Sequence, residues 1–309
     1  METRNIGDLQ VSLAGLGCNN FGRRCDEAQS KIVVDAALEA GINFFDTADV
    51  YGDGQSEQFL GRALGKRRDQ VLIATKFAHT LGGDDQKRGG SARWIAEAVE
   101  GSLGRLGTDR IDLYQMHVPD DDVPIEETLE ALTRLVKDGK VIEIGCSNFT
   151  GEQISSATET SNANGFSRFV SAQNHFSLLV RDVEAEVLPA CTTNGLGMLP
   201  YFPLANGLLT GKYRKGEAPP EGTRLGGLPA DRVGRLLSEE NFAAVERLEE
   251  FAKGQGHTIL ELAMSWLAAQ PSAVSVIAGA TKPEQVKANA RAVDWKLSVE
   301  NLSEIDRLA

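Results

Sequence analysis

The sequence predicts an α/β chain folded as a single (β/α)8 TIM barrel over residues 1–309, and three observations carry that prediction. Short apolar runs alternate with amphipathic stretches from residue 12 to residue 292. Eight such runs occur, each followed by a helical pattern. The runs are continuous rather than alternating, which suits parallel strands covered on both faces. A doubly wound open sheet would show the same local pattern, because periodicity cannot detect closure.

The strands are expected at SLAGLG (12–17), INFFD (42–46), VLIATK (71–76), IDLYQMH (111–117), VIEIGCS (141–147), FVSAQ (169–173), GMLPYF (197–202) and VSVIAG (274–279). Helical spacing fills 27–40, 56–65, 92–106, 126–138, 151–162, 183–193, 240–254 with 258–269, and 283–292. Gly41, Gly107, Gly139 and Gly195 stand where four of these helices should stop, and Pro283 where the last should open. The segment before residue 12 reads as an N-terminal hairpin sealing the barrel bottom. Residues 206–238, rich in Gly, Pro and Arg, form a long loop after strand seven, and loops of that length are usually functional or disordered.

A chain of 309 residues buries roughly three quarters of its unfolded surface, so it needs no disulfide or metal staple. Its net charge of −12 repels nucleic acid and anionic lipid and argues against both as partners. The same charge means that an anionic cofactor would need a local cluster of cations. Cys18, Cys25, Cys146 and Cys191 lack metal-ligand spacing and read as reduced thiols. The opening METRNIGDLQ has no apolar core, and no apolar run reaches membrane-spanning length. A cytoplasmic protein is therefore expected. The oligomeric state is not legible.

In such a barrel the chemistry gathers at the C-terminal ends of the strands. There the sequence offers Asp46 with Tyr51 five residues on, Lys76, His117, Ser147 with Asn148, Gln173, and Tyr201. The last strand runs into GATKPEQ. Polar residues end many strands, but Asp, Tyr, Lys and His on adjacent loops form a usable set. A phenol has a pKa of about 10 and is a poor acid at neutral pH. A lysine ammonium beside it favours the phenolate. Asp46 can keep Lys76 charged and oriented, Tyr51 can give its proton to a carbonyl oxygen, and His117 can donate a second hydrogen bond to that oxygen. Each residue also has an ordinary structural role open to it: Asp46–Lys76 as an ion pair, Tyr51 as a packed aromatic, His117 as a strand-end histidine.

With these residues in hand, the sequence resembles the aldo-keto reductases over nearly its whole length, in the branch of bacterial enzymes and potassium-channel β-subunits. The segments that carry the resemblance are GINFFDTADVYGDGQSEQFLGRAL (41–64), VLIATKF (71–77), IDLYQMH (111–117), VIEIGCSNF (141–149), PYFPLANGLLTGKY (200–213) and IAGATKPEQVKAN (277–289). The resemblance implies a catalytic tetrad of Asp46, Tyr51, Lys76 and His117 and hydride transfer between NADPH and an aldehyde or ketone. It implies Ser147, Asn148 and Gln173 at the nicotinamide carboxamide and Tyr201 stacked on the ring. Pro203, Leu204, Gly207 and Lys212 would line the pyrophosphate. Gly279, Thr281, Gln285 and Asn289 would hold the adenosine end, where the α-helix opened by Pro283 aims free N–H groups. Lys282, Thr281 and Arg224 are the candidates for the extra phosphate of NADPH, which is expected over NADH.

The chain departs from the family pattern at three places. Phe202 stands where Ser is frequent, Ala288 where Glu is frequent, and Cys18–Asn19 where a Thr-Trp pair is common, so Cys18 and Asn19 are expected at an opened pocket wall. Two other readings are carried: a nucleotide-binding regulatory subunit with little turnover, and a lyase that forms a Schiff base on Lys76. No metal site is expected. GLGCNNFG (15–22) lacks the dinucleotide fingerprint's context, and GLLTGKY lacks P-loop spacing.

Overall fold

The computed structural model describes residues 1–309 except Asp85, Leu228 and the side chains of Ala230 and Arg232. It begins with an antiparallel hairpin, β1 (Thr3–Ile6) and β2 (Leu9–Ser12), in which Thr3 faces Ser12 and Ile6 faces Leu9. Eight parallel strands follow: β3 (Ala14–Gly17), β4 (Phe44–Asp46), β5 (Leu72–Phe77), β6 (Ile111–Met116), β7 (Val141–Ser147), β8 (Phe169–Gln173), β9 (Gly197–Met198) and β10 (Val276–Gly279). They lie side by side in chain order, with β10 returning to pair with β3. Closure comes from a parallel bridge between Met198 and Ala273. There Met198 N–H donates to Ser272 O at 2.7 Å, and Val274 N–H donates to Met198 O at 3.0 Å. The sheet is therefore a barrel and not the open alternative.

Helices α1 (Glu27–Glu39), α2 (Gln55–Leu64), α3 (Ala92–Leu106), α4 (Ile125–Lys137), α5 (Gly151–Asn164) and α6 (Val187–Asn194) alternate with the strands. α7 (Ala230–Leu236), α8 (Glu239–Gly254) and α9 (Ile259–Ala268) precede β10, and α10 (Pro283–Arg291) and α11 (Val299–Leu308) follow it. Gly107, Gly165 and Gly195 end α3, α5 and α6 in left-handed conformation, which glycine adopts without a Cβ penalty.

Burial divides the apolar residues into two cores. The larger lies between strands and helices. The smaller fills the barrel interior with Phe44, Ala74, Leu113, Leu199 and Ile277, and the hairpin plugs it from below with Ile6, Leu9 and Val11. This inner layer fixes what stands above it. Side chains along a strand alternate between faces, so the residues two beyond Phe44, Ala74 and Leu113 also point inward. Those residues are Asp46, Lys76 and Gln115.

Two expectations need correction. The seventh strand is expected over 197–202 but stops at Met198. Pro200 has no N–H for the ladder, and beyond it the chain pairs with its neighbour through the isolated His175–Tyr201 bridge. The pattern reading also ends at residue 292 and misses α11, although Ser298 and Asn301 form a capping box at its start. The long connection is not featureless. It contains α7 and 3₁₀ turns at Ala205–Thr210 and Leu225–Gly227, and it is pinned by the buried Leu225, whose N–H donates to the Tyr213 hydroxyl at 3.4 Å.

Candidate active site

At the top of the barrel the inward layer turns from apolar to polar. Lys76 is 0% exposed, and its ammonium donates to Asp46 Oδ1 at 2.7 Å, Asp46 Oδ2 at 2.8 Å and Thr47 O at 2.8 Å. Three donors meet three acceptors, so the charge is held in one geometry. Asp46 also accepts from Gln173 Nε2 at 2.9 Å and from Gln115 Nε2 at 3.3 Å. Burial works against the Lys76 charge, but Asp46 and then Tyr51 outweigh it and hold the ammonium above its ordinary pKa.

Tyr51 comes from the loop between β4 and α2, and Lys76 Nζ lies 5.3 Å from its ring centroid. Tyr51 itself is partly accessible. Burial raises the phenol's pKa, Lys76 pulls it down, Asp46 pushes it up, and the net is upward. Lys76 therefore acts in the expected direction, but burial is the larger effect. His117 meets Tyr51 edge to face with ring centroids 5.8 Å apart, and His79 meets His117 at 4.4 Å. Burial, Lys76 and His79 together hold His117 well below its usual pKa, so it is neutral in the working range and can donate a hydrogen bond without carrying charge. Its Nδ1 is buried without a partner.

These groups open into a cavity of about 1000 Å³, at the upper end of the range for ligand sites. Ser147, Asn148, Gln173 and Tyr201 form one wall and are already bonded to one another. Ser147 Oγ donates to Gln173 O at 2.7 Å, Asn148 Nδ2 donates to His117 O at 2.9 Å, and the Tyr201 hydroxyl donates to Asn148 Oδ1 at 2.9 Å. Tyr201 is backed by His175 in a near-parallel stack at 5.3 Å. The far end is lined by Gly279, Thr281, Lys282, Gln285 and Asn289 around the start of α10. Gln285 Oε1 accepts from Thr281 N–H at 2.7 Å.

Between the two ends run Pro203, Leu204, Gly207 and Lys212. The backbone here is strained: Phe202, Ala205 and Asn206 have positive φ, and Gly207 sits at +99°. A Cβ on Gly207 would stand 2.8 Å from Lys212 Nζ. Arg224 lies over the Phe202 ring, 4.6 Å from its centroid.

Of the residues expected at the site, Asn19 lines the cavity but Cys18 does not. Cys18 is 0% exposed, lies behind the lining, and burial followed by Asp46 raises its thiol well above the ordinary range. Lys76 also lies behind the wall, beneath the Tyr51 ring. The sequence reading passes over Gln115, Asn20, His79, Arg23 and Arg24. Gln115 was detectable from strand alternation, two residues after inward Leu113. The arginines carry no local signal, because only the fold brings the loop after β3 to the cavity. There Arg24 donates to Gly222 O of the long connection.

The cavity fits an anionic dinucleotide on three counts. Arg23, Arg24, Lys212, Arg224 and Lys282 converge on it from a protein of net charge −12. Asn19 Oδ1 is buried and unpartnered beside Gly279, where a Cβ would stand 3.3 Å away. The positive end of α10 opens onto it.

The family model for the Aldo/keto reductase family matches residues 14–309. "Uncharacterized oxidoreductase YrpG" of Bacillus subtilis (strain 168) is 38% identical over 315 residues, covering 98% of this chain and 94% of its own. "Aldo-keto reductase YhdN" of the same organism is 37% identical over 317 residues, covering 100% and 93%. The "Probable voltage-gated potassium channel subunit beta" of Oryza sativa subsp. japonica is 35% identical over 301 residues, covering 95% and 92%. A closed parallel barrel with polar groups gathered at its strand ends, matched over almost its entire length by the family model, belongs to the aldo/keto reductase family of oxidoreductases.

Proposed function

We propose that the chain is an NADPH-dependent reductase of aldehydes or ketones, with Tyr51 as the acid. The observation that supports this most directly is the fully buried Lys76 ammonium, fixed by Asp46 against the back of Tyr51. When bound, a reduced nicotinamide supplies a hydride to the carbonyl carbon. The chain's own part is to manage the oxygen. Tyr51 transfers its phenol proton to that oxygen as charge builds on it, and the phenolate left behind sits beside the Lys76 charge until solvent returns a proton. Neutral His117 donates a hydrogen bond to the same oxygen. Ser147, Asn148, Gln173 and Tyr201 would hold the nicotinamide end. Lys282, Thr281, Gln285 and Asn289 would hold the adenosine end.

The position of Arg224 over Phe202 favours a contact to the pyrophosphate segment, which leaves Lys282 and Thr281 as the readers of the additional phosphate. A Schiff base on Lys76 is disfavoured because all three of its N–H donors are engaged and its pKa is raised, so the free amine is scarce.

The test is turnover of a panel of aldehydes and ketones by the purified protein with NADPH or NADH. Consumption of NADPH that depends on the carbonyl compound is expected, and Tyr51→Phe should cut it on the order of a hundredfold or more. Tight NADPH binding with no turnover across the panel would point instead to a regulatory subunit, as the plant relative is named.

A further inference from the structure

A second polar cluster lies between the barrel and helices α2 and α3, and none of its members lines the cavity. Glu57 is 0% exposed and fully satisfied. Its Oε1 accepts from Thr75 Oγ1 at 2.6 Å and its Oε2 from Arg105 Nε at 2.6 Å. Asp49 is also 0% exposed, but both of its carboxylate oxygens lack a hydrogen-bond partner, as does the buried hydroxyl of Tyr114. Four charged or titratable groups face Asp49: Glu57 from α2, Arg105 from α3, Lys76 from β5 and Tyr114 from β6. Arg105 is committed to Glu57, and Lys76 to Asp46 and Thr47. The Val50 N–H favours the charged form but makes no well-formed bond to either oxygen.

An ionised Asp49 would thus be a buried charge with no committed donor, and such groups neutralise instead. Burial and then Glu57 push its carboxyl up to about 7, against Arg105, Val50 N–H and Lys76. The carboxyl also sits in the loop that carries Tyr51. Asp49 N–H donates to Lys76 O and Tyr51 N–H to Ala48 O, both at 3.2 Å.

We propose that Asp49 is a titratable positioning residue: its carboxyl holds a buried proton, and loss of that proton to solvent places one negative charge behind the Tyr51–Lys76 pair and sets the pH response of the reaction. The link to the reaction rests on the function proposed above. The sign follows from charge. Ionised Asp49 holds the Lys76 ammonium more firmly, offsets its pull on Tyr51 and makes the phenol a weaker acid. Carbonyl reduction should therefore fall severalfold as pH rises through neutrality. His117 cannot cause that fall, because it is neutral well below this range.

Three measurements test the proposal. Infrared spectra of protein containing isotope-labelled aspartate should show a protonated-carboxyl band that fades through the neutral range and is missing in Asp49→Asn; the label excludes Glu143, a half-buried carboxyl whose pKa burial also raises. The neutral fall in reduction rate should vanish in Asp49→Asn. In Glu57→Gln, Arg105 becomes available to Asp49, so the band and the rate fall should move together to lower pH. If no carbonyl compound turns over, the proposed function fails, but the Asp49 proposal remains testable. The phenolate absorbance of Tyr51, taken as the difference from Tyr51→Phe, should then titrate at lower pH in Asp49→Asn. Absence of a titrating aspartic acid band, a neutral fall that persists in Asp49→Asn, or an unmoved phenolate titration would overturn the proposal.

Discussion

Replacing Lys76 by Met separates what the buried ion pair does for stability from what it does for chemistry. The substitution removes three hydrogen bonds of 2.7–2.8 Å and leaves Asp46, itself 4% exposed, without its cation. Breaking a buried pair by removing one partner costs about 3–5 kcal/mol, because the other charge stays buried and uncompensated. The amides of Gln173 and Gln115 still reach Asp46 Oδ1 at 2.9 and 3.3 Å, which puts the expectation near the lower end, about 3 kcal/mol. At about 1.5 °C per kcal/mol for a chain of 309 residues, Tm should drop by roughly 5 °C.

Asp46→Asn combined with Lys76→Met removes both charges of the pair and should regain about 2 kcal/mol of that loss, a coupling within the range found for contacting pairs. Activity should not return in the double variant, because Tyr51 still lacks the cation that offsets its burial. Chemical denaturation of the four proteins, read beside their turnover of one aldehyde, checks both halves. A Lys76→Met protein as stable as the parent, or a double variant no more stable than Lys76→Met, would refute the electrostatic account. Restored turnover in the double variant would refute the catalytic one.

Four further outcomes follow. Tyr51→Phe should lose turnover while its dissociation constant for NADPH stays close to that of the parent, since the lost proton matters only in the transition state; equal loss in both would reassign the ring to cofactor binding. Asp49→Asn should flatten the stability–pH curve. The folded carboxyl keeps its proton to about 7 against an ordinary 3.8, so the unfolded chain ionises first and stability falls as pH rises across that window, by at most roughly 4 kcal/mol; urea titrations at either end measure it. Lys282→Ala should weaken NADPH more than NADH, whereas Arg224→Ala should weaken both alike, as calorimetric binding of each cofactor would show. Cys18 should resist thiol reagents in the folded protein and react only on unfolding; fast labelling would mean that it lies in the cavity wall after all.

How much of this was legible in the sequence depends on what positions each residue. Asp46, Lys76 and His117 stand at the ends of apolar runs, and a parallel strand leaves little choice about where its end points. Tyr51 is five residues from Asp46, in a loop too short to wander. Gln115 follows from the same alternation but hides inside an apolar-looking run, where a buried amide resembles a break in the pattern. Cys18 was misplaced for a related reason. It is one residue past β3, and whether such a residue faces the cavity or the core depends on the turn, here closed by Cys18 N–H donating to Asp46 O at 2.8 Å. The end of β9 at Met198 turned on one missing donor at Pro200, which an apolar count does not weigh. Asp49 was invisible as a titrating group, because its environment is assembled from α2, α3, β5 and β6, which only the closed barrel brings together.

The two halves of the cavity are therefore built on different principles. At the strand ends the polar groups lie on the strands or just past them and are mutually bonded: Lys76 to Asp46, Gln173 to Asp46, Ser147 to Gln173, Asn148 to His117, Tyr201 to Asn148. Such a network loses little freedom when the reaction begins, which is the condition under which fixed dipoles and charges accelerate it. The cationic half is carried by loops and the start of α10. Its arginines and lysines come from three separated stretches: residues 23–24, 212–224 and 282. An acidic protein cannot draw in an anionic ligand through its overall field, so it must gather cations locally, and long loops let distant residues share one cavity. On the proposed function, the rigid half would set which bond is made. The loop-borne half would set which cofactor arrives, and its composition could change without disturbing the chemistry beside it.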